Sequence, residues 1–428
     1  MKNKLLTSTL LLFIISLCAK LLSFGVKIQL AKTMSNQTME LYTLSSSTMI
    51  FLITFVQAGL PTTLNTLIAK KNDSITIIQN SIFISFLTNT IAIVIYLITI
   101  PFITQNVLQY SQTPALLSIV PLLPLVTISG ICKGYCLGKQ KIILANSSNI
   151  TEEIFRIIFL IICYPYIKHS TTLFASFAIL SIAIGEIGAI LHILLFVKST
   201  KYIKQLFNKN KISYIQIKEI LSYAIYMTAS RFIGSFTHFI EPLLFTIPTN
   251  LIIQTQLITT FTYIHAYVLP IITLPSFFTF ALSSWLLSSL SNHLANNQQK
   301  LAKKSLYYVL GISSFIGFFA SIICYFYPNE ITQLFYSNTQ SAYLLKQLSL
   351  PFMLFSLQTP LSTALHAYNK SKVALYDTII GNLIKIIMII LLPKHLGTQA
   401  LLLAIIVSML FTTFLHLYHV QKLLSNNP

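Results

Sequence analysis

Apolar runs that reach the roughly 20 residues a helix needs to cross a bilayer follow one another along almost the whole chain, separated by short polar connections. Twelve spans are expected, at 5–30, 42–68, 77–103, 114–137, 152–167, 172–197, 217–247, 258–290, 305–327, 341–366, 371–393 and 397–421. The fifth contains Pro165, and the eighth is broken by Pro270 and Pro275. Such breaks are tolerated where neighbouring helices satisfy the freed carbonyls. The pattern predicts an all-α polytopic membrane protein.

Two short segments recur at matching separations. Leu17–Ser23 precedes Leu60-Pro61, and Thr228–Gly234 precedes Leu274-Pro275, so that Lys20 in the first half corresponds to Arg231 in the second. Lys141 to Arg156 and Lys370 to Lys385 likewise span equal lengths. The expected organisation is two pseudo-symmetric six-helix lobes, 1–197 and 217–428, joined by a basic cytoplasmic linker at 198–216. Duplicated bundles of this kind in secondary transporters hold substrate between the halves, near the bilayer midplane.

Composition sharpens the membrane assignment. The chain is 55% apolar and only 9% charged, with a mean hydropathy of +0.76, which excludes an ordinary soluble globule. Its +19 net charge follows topology. Lys70 and Lys71, Lys139 and Lys141, Lys198 through Lys218, Lys300 to Lys304, and Lys370 and Lys372 all fall in the even-numbered connections, with Lys2, Lys4 and Lys422 at the termini. The positive-inside bias then puts both termini in the cytoplasm of a multi-pass plasma-membrane protein. This basic balance suits anionic headgroups and gives no reason to invoke nucleic acid. Lys2 and Lys4 lead into an uncleaved first span, since no small-residue cleavage site follows. The five cysteines lie inside spans without metal-ligand spacing, and Cys132 and Cys136 read as small packing residues. There is no glycine-rich phosphate loop or catalytic motif, so no enzyme, cofactor or metal is expected, and transport would draw on an ion gradient, on membrane potential or on the substrate's own gradient.

Charges inside the spans carry the functional signal, because each costs about 2.5–3.5 kcal/mol to place at a helix centre even on a lenient scale. Lys20 and Lys27 lie two helical turns apart on one face of span one. Arg231, His238 and Glu241 occupy span seven, with Lys27 matching His238 in register. Two cationic stripes facing a cavity would attract an anion, and Arg231 offers a planar fork for phosphate or carboxylate. Glu241 is either an ion carrier (H+ or Na+) or the charge partner of Arg231 or His238. Glu152, Glu153 and Arg156 in span five, and Asp377 and Lys385 in span eleven, are expected as ties at the inner mouth. Glu186, between Gly185 and Gly188, is expected to hydrogen-bond a neighbouring helix, and Lys133 and Lys346 to snorkel.

Leu17–Lys32, Leu41-Tyr42 and Ala58-Gly59-Leu60-Pro61 resemble the opening of the stage V sporulation protein B family, a branch of the polysaccharide-exporter group. Lys133-Gly134-Tyr135 with Gly138, Glu153 and Arg156, together with Ile220–Gly234 and Leu274–Ser283, is similar to later signatures of that family. The group shares a superfamily (the MOP, or MATE-like, flippases) with lipid II flippases and multidrug and toxic compound extrusion transporters. The resemblance implies a V of two six-helix lobes and export of an undecaprenyl-pyrophosphate-linked oligosaccharide, a cell-wall or polysaccharide precursor, by alternating access. It assigns the cationic positions of the first span to Lys20, Lys27 and Lys32, and that of the seventh to Arg231. Two departures stand out: lysine replaces the family's usual arginine in span one, and the two further C-terminal spans common in this branch are not seen. The alternatives are a cation-coupled multidrug antiporter of the same fold and a membrane-embedded glycan polymerase or acyltransferase. The first would want an acidic cavity, and the second would want polar residues on a substantial external loop. The expected partners are the lipid-linked glycan, membrane lipids and a coupling ion.

Overall fold

All regular structure among the described residues is helical, as the unbroken apolar runs require. The computed structural model describes residues 2–70, 74–106, 113–196, 213–245 and 251–425. Most of the expected linker, from Lys198 to Ile212, therefore lies outside the described residues. Each of the twelve expected spans has a helical counterpart. Among the described residues, eight helical segments are long and apolar enough to cross a membrane, or ten if two bent pairs each count as one span.

The chain divides into two compact units, Met1–Phe239 and Ile240–Pro428. The first contains α1 (Lys2–Thr33), α2 (Asn36–Gln57), α3 (Leu60–Lys70), α4 (Ser74–Asn106), α5 (Thr113–Leu117), α6 (Leu122–Gly138), α7 (Ile142–Ile167), α8 (Thr171–Phe196) and most of α9 (Tyr214–Leu244). Ser35 caps α2, accepting the Thr38 N–H at 3.3 Å. The helix then stops at Ala58 and Gly59, whose positive φ values of 42° and 68° turn the chain before α3. A side chain on Gly59 would also run into Thr228 Cγ2 at 2.7 Å, so this Ala-Gly-Leu-Pro corner lets α9 lie close to it. Phe51 of α2 stacks on Phe239 at 4.9 Å and meets Phe232 and Phe236 at 5.6 Å. These rings hold the second half of α9, up to Phe239, within the first unit.

Helix α6 meets α3 along Gly130, Gly134 and Gly138, a stripe of small residues four apart that lets two backbones approach. A Cβ on Gly134 would sit 2.7 Å from the Pro61 carbonyl oxygen, leaving no flexible neighbour to yield. Gly134→Ala should therefore cost about 1–3 kcal/mol of stability. Gly311→Ala, where the added carbon meets nothing within 4 Å, should be close to neutral. Thermal unfolding of the two purified variants beside the parent checks this, and equal melting temperatures would contradict it.

The second unit holds α10 (Leu251–Thr262), α11 (Ser276–Ala295), α12 (Gln299–Phe326), α13 (Pro328–Tyr336), α14 (Ala342–Phe352), α15 (Phe355–Ala367), α16 (Ser371–Leu391) and α17 (Gln399–Ser425). After α10 the helix widens into a π-turn, Tyr263–Val268, and bends by 58° around Thr273–Pro275 before α11. The Tyr336 hydroxyl donates to the Tyr267 carbonyl at 3.0 Å, satisfying a backbone group inside the widened turn. A second bend, of 40°, separates α14 from α15. Spans two, four, eight and ten are thus each built from two helices, the same two positions in each half. The duplication suggested by the repeated segments is present in the helix breaks as well.

Helices α7 and α9, of 26 and 31 residues, are long enough to cross a bilayer at ~1.5 Å per residue, yet neither is among the clearly apolar spans. Their sequences are interrupted by Glu152, Glu153 and Arg156, and by Lys218, Glu219, Arg231 and Glu241. These two helices carry the site.

Candidate functional site

The first unit gathers charge where α1, α6, α7 and α8 meet. Consecutive residues on a helix point about 100° apart, so Glu152 and Glu153 of α7 serve different neighbours. Glu153 lies 3.6 Å from the Arg156 guanidinium, one turn on, and the Arg156 Nε–H donates to Ser181 Oγ on α8 at 3.2 Å. Both residues are buried, and Arg156 is thereby fixed by a carboxylate and a hydroxyl. Lys27 of α1 stands within electrostatic reach of Arg156, Lys20 and Glu153, and its side chain and that of Lys20 are exposed. Three cations therefore share one neighbourhood with Glu153, and Glu152 stands within electrostatic reach of Glu153.

Glu152 turns the other way. Lys133 Nζ of α6 donates to Glu152 Oε2 at 2.7 Å and stands 3.7 Å from Glu186 Oε2 of α8. Lys133 therefore does not snorkel from a span end as expected; two acidic side chains on adjacent helices hold it inside the unit. The expected pairing with Arg156 is made by Glu153, and Glu152 pairs with Lys133. Next to this cluster, Ser147 and Thr151 of α7 hydrogen-bond the two ring nitrogens of His192 on α8, at 2.9 and 2.8 Å. Lys346, in the second unit, is exposed and lies 5.2 Å from the centre of the Tyr325 ring.

Arg231 on α9 is exposed, and His238, two turns on, is half-buried. Glu241, one turn further and in the second unit, is fully buried and accepts a hydrogen bond from the Lys385 ammonium of α16. His265 Nε2, from the π-turn, stands 3.7 Å from its other oxygen. A tie to Lys385 is one that spacing along α9 does not offer, because the two residues lie far apart in sequence. Asp377, also buried, shares one oxygen between His416 Nδ1 at 2.8 Å and His419 Nδ1 at 3.1 Å, both on α17. Asp377 and Lys385 thus each tie α16 to a different element. His265, His416 and His419 were not singled out from sequence. For His416 and His419, two histidines three apart inside an apolar run are the available signal.

The sequence matches the polysaccharide biosynthesis protein family over residues 5–251 and the MatE family over residues 262–391. It is 25% identical to stage V sporulation protein B of Bacillus subtilis (strain 168), with 99% of this chain and 85% of that protein aligned. It is 20% identical to sporulation protein YkvU of the same organism, over 99% of this chain and 96% of that protein. Among solved structures, an inward-facing multidrug resistance MATE family transporter of the MOP superfamily superposes with a TM-score of 0.78 at 13% identity, covering 98% of each chain. The lipid II flippase MurJ in an inward closed conformation gives 0.73 at 17% identity, covering 96% of this chain and 87% of that one. These likenesses show the fold, an all-helical architecture shared with those two proteins. The chain belongs to the polysaccharide biosynthesis protein family, and is a multi-pass membrane protein.

Proposed function

We propose that the chain moves an undecaprenyl-pyrophosphate-linked oligosaccharide, a polysaccharide or cell-wall precursor, across the bacterial plasma membrane by alternating access of two six-helix lobes. The observation that carries this is the charge balance around α1 and α7: Lys20, Lys27, Arg156 and Lys133 against Glu152, Glu153 and Glu186. A neighbourhood with surplus positive charge at membrane depth favours an anionic headgroup and repels a cationic drug. Arg231 and His238 add cationic capacity on α9, and the polysaccharide biosynthesis family and the sporulation relatives fit such a substrate. The lobes comprise 1–197 and 217–428, joined by the basic linker 198–216, with both termini cytoplasmic. Transport is driven by H+ or Na+, without catalysis and without a bound cofactor.

A second reading, a cation-coupled multidrug antiporter, draws on the fully buried Glu241 carboxylate and on the MATE fold. The deciding experiment is depletion of the protein in its host, followed by identification of the undecaprenyl-linked intermediate that accumulates in the inner leaflet. Unchanged lipid-linked pools together with raised sensitivity to a cationic dye would favour the antiporter.

The topology has its own test. With cysteine introduced as Asn208→Cys or Asn250→Cys in a background lacking the native cysteines, an impermeant thiol reagent added to intact cells should label only the second. Equal labelling of the two would end the topology.

A further inference from the structure

Resting on the transport reading above, we propose that Glu186, with Glu152 and Lys133, forms a proton-binding site inside the first unit that takes up one proton as the anionic headgroup arrives. Charge bookkeeping motivates the assignment. One ammonium stands between two carboxylates, at 2.7 Å from Glu152 and 3.7 Å from Glu186. Two carboxylates sharing one counter-charge in a buried site are costly to keep both ionised, so the pair is poised to take up one proton.

Geometry says which carboxyl takes it. Glu152 has the short hydrogen bond to Lys133 and a side chain 21% exposed. Glu186 is more than nine-tenths buried, and its Oε2, the oxygen turned towards Lys133, has no hydrogen-bond partner at ordinary length. An ionised oxygen in that position is the costlier of the two. The fold builds this juxtaposition deliberately close: a Cβ on Gly185 would come within 2.9 Å of the Glu152 carbonyl oxygen and 3.1 Å of its Cγ, so the residue before Glu186 must be glycine for α8 to reach α7 there.

The ligand is a proton and not a metal cation. The Lys133 ammonium already occupies the position beside both carboxylates, and a sodium or divalent ion would have to sit against it. Other charges around the site agree. The first neighbours are Lys133 from α6 and Glu152 from α7. Beyond Glu152, α7 presents Glu153 and Arg156, with Lys20 and Lys27 of α1 behind them. Helix α5, packed on α8, has no ionisable residue, and α2, also packed there, has Glu40 and Tyr42 near its start.

The acidic trio Lys133, Glu152 and Glu186 is formally one charge negative, and the basic group of Lys27, Arg156 and Glu153 formally one charge positive. Glu152 and Glu153 are adjacent on α7, so the two groups share a helix turn. A phosphate settling on the basic group removes the positive charge that helped keep the carboxylates ionised, and Glu186 then takes a proton from water. Release of the headgroup reverses the step.

The test uses the full-length protein in lipid nanodiscs, with infrared difference spectra of the protonated-carboxyl stretch recorded as a function of pH, and undecaprenyl pyrophosphate as the probe. The parent should show one reversibly titrating buried carboxyl. Glu186→Gln should lose it, and so should Glu152→Gln, which leaves one carboxylate for one ammonium. Glu330→Gln, in the other unit, should keep it. Adding undecaprenyl pyrophosphate to the parent should raise the protonated signal and draw one proton from a dye-buffered solution, and Glu186→Gln should bind the lipid without that uptake. A signal that survives Glu186→Gln, or is missing from the parent, overturns the proton site. If the parent fails to bind the lipid at all, the substrate reading falls, and the pH titration alone still decides the proton site.

Discussion

Lys385→Met should destabilise the second unit by about 3–5 kcal/mol, the usual cost of removing one member of a buried ion pair. Glu241 is fully buried, and the Lys385 ammonium donates to one of its carboxylate oxygens. Without the ammonium, the buried carboxylate loses the cation that its burial calls for, and the His265 ring stands 3.7 Å from its other oxygen. The double variant Lys385→Met/Glu241→Gln should recover most of the loss, because no charge is then left behind. Glu241→Gln alone should cost less than Lys385→Met, since the lysine keeps some access to solvent at 15% exposure. Thermal unfolding of the four proteins in one detergent checks the order. A double variant no more stable than Lys385→Met would show that the pair is not the source of the loss.

Most of the architecture was legible in the apolar pattern. Run lengths near the bilayer thickness locate the helical spans, because that signal is local in sequence. The pairing of charges was less legible, for a physical reason. Spacing along one helix finds partners at i, i+3 and i+4, and so anticipates Glu153–Arg156. It cannot say that Glu152 will turn to α6, that Lys385 will reach Glu241, or that Asp377 will meet two histidines of α17. Those ties follow from which helices pack together, and close packing depends on small residues such as Gly134 and Gly185, whose importance appears only when the neighbouring backbone is in place. Lys133 illustrates the limit. Its position near a span end suggested snorkelling, and two carboxylates from separate helices hold it inside instead.

The largest functional effect should come from the exposed cations. A charge-assisted hydrogen bond to phosphate contributes roughly 1.5–3 kcal/mol net, so Lys20→Ala and Arg231→Ala should each weaken binding of undecaprenyl pyrophosphate by about 10- to 150-fold. Neither substitution should lower the melting temperature appreciably, because both side chains are exposed. Arg231→Lys should recover only part of the affinity, as it restores the charge without the planar two-pronged donor. Glu241→Gln should leave lipid binding nearly intact while costing stability, given its burial against Lys385. The antiporter reading predicts the opposite ranking: Glu241→Gln would abolish efflux of a cationic dye, and Lys20→Ala would pass almost unnoticed. Lipid binding and dye efflux measured on the same purified and reconstituted variants separate the two. If a stably folded Glu241→Gln protein loses dye transport while Lys20→Ala and Arg231→Ala bind undecaprenyl pyrophosphate as the parent does, then the anionic-headgroup reading is wrong, and the buried carboxylate of the second unit, not the cations of the first, is where transport is coupled.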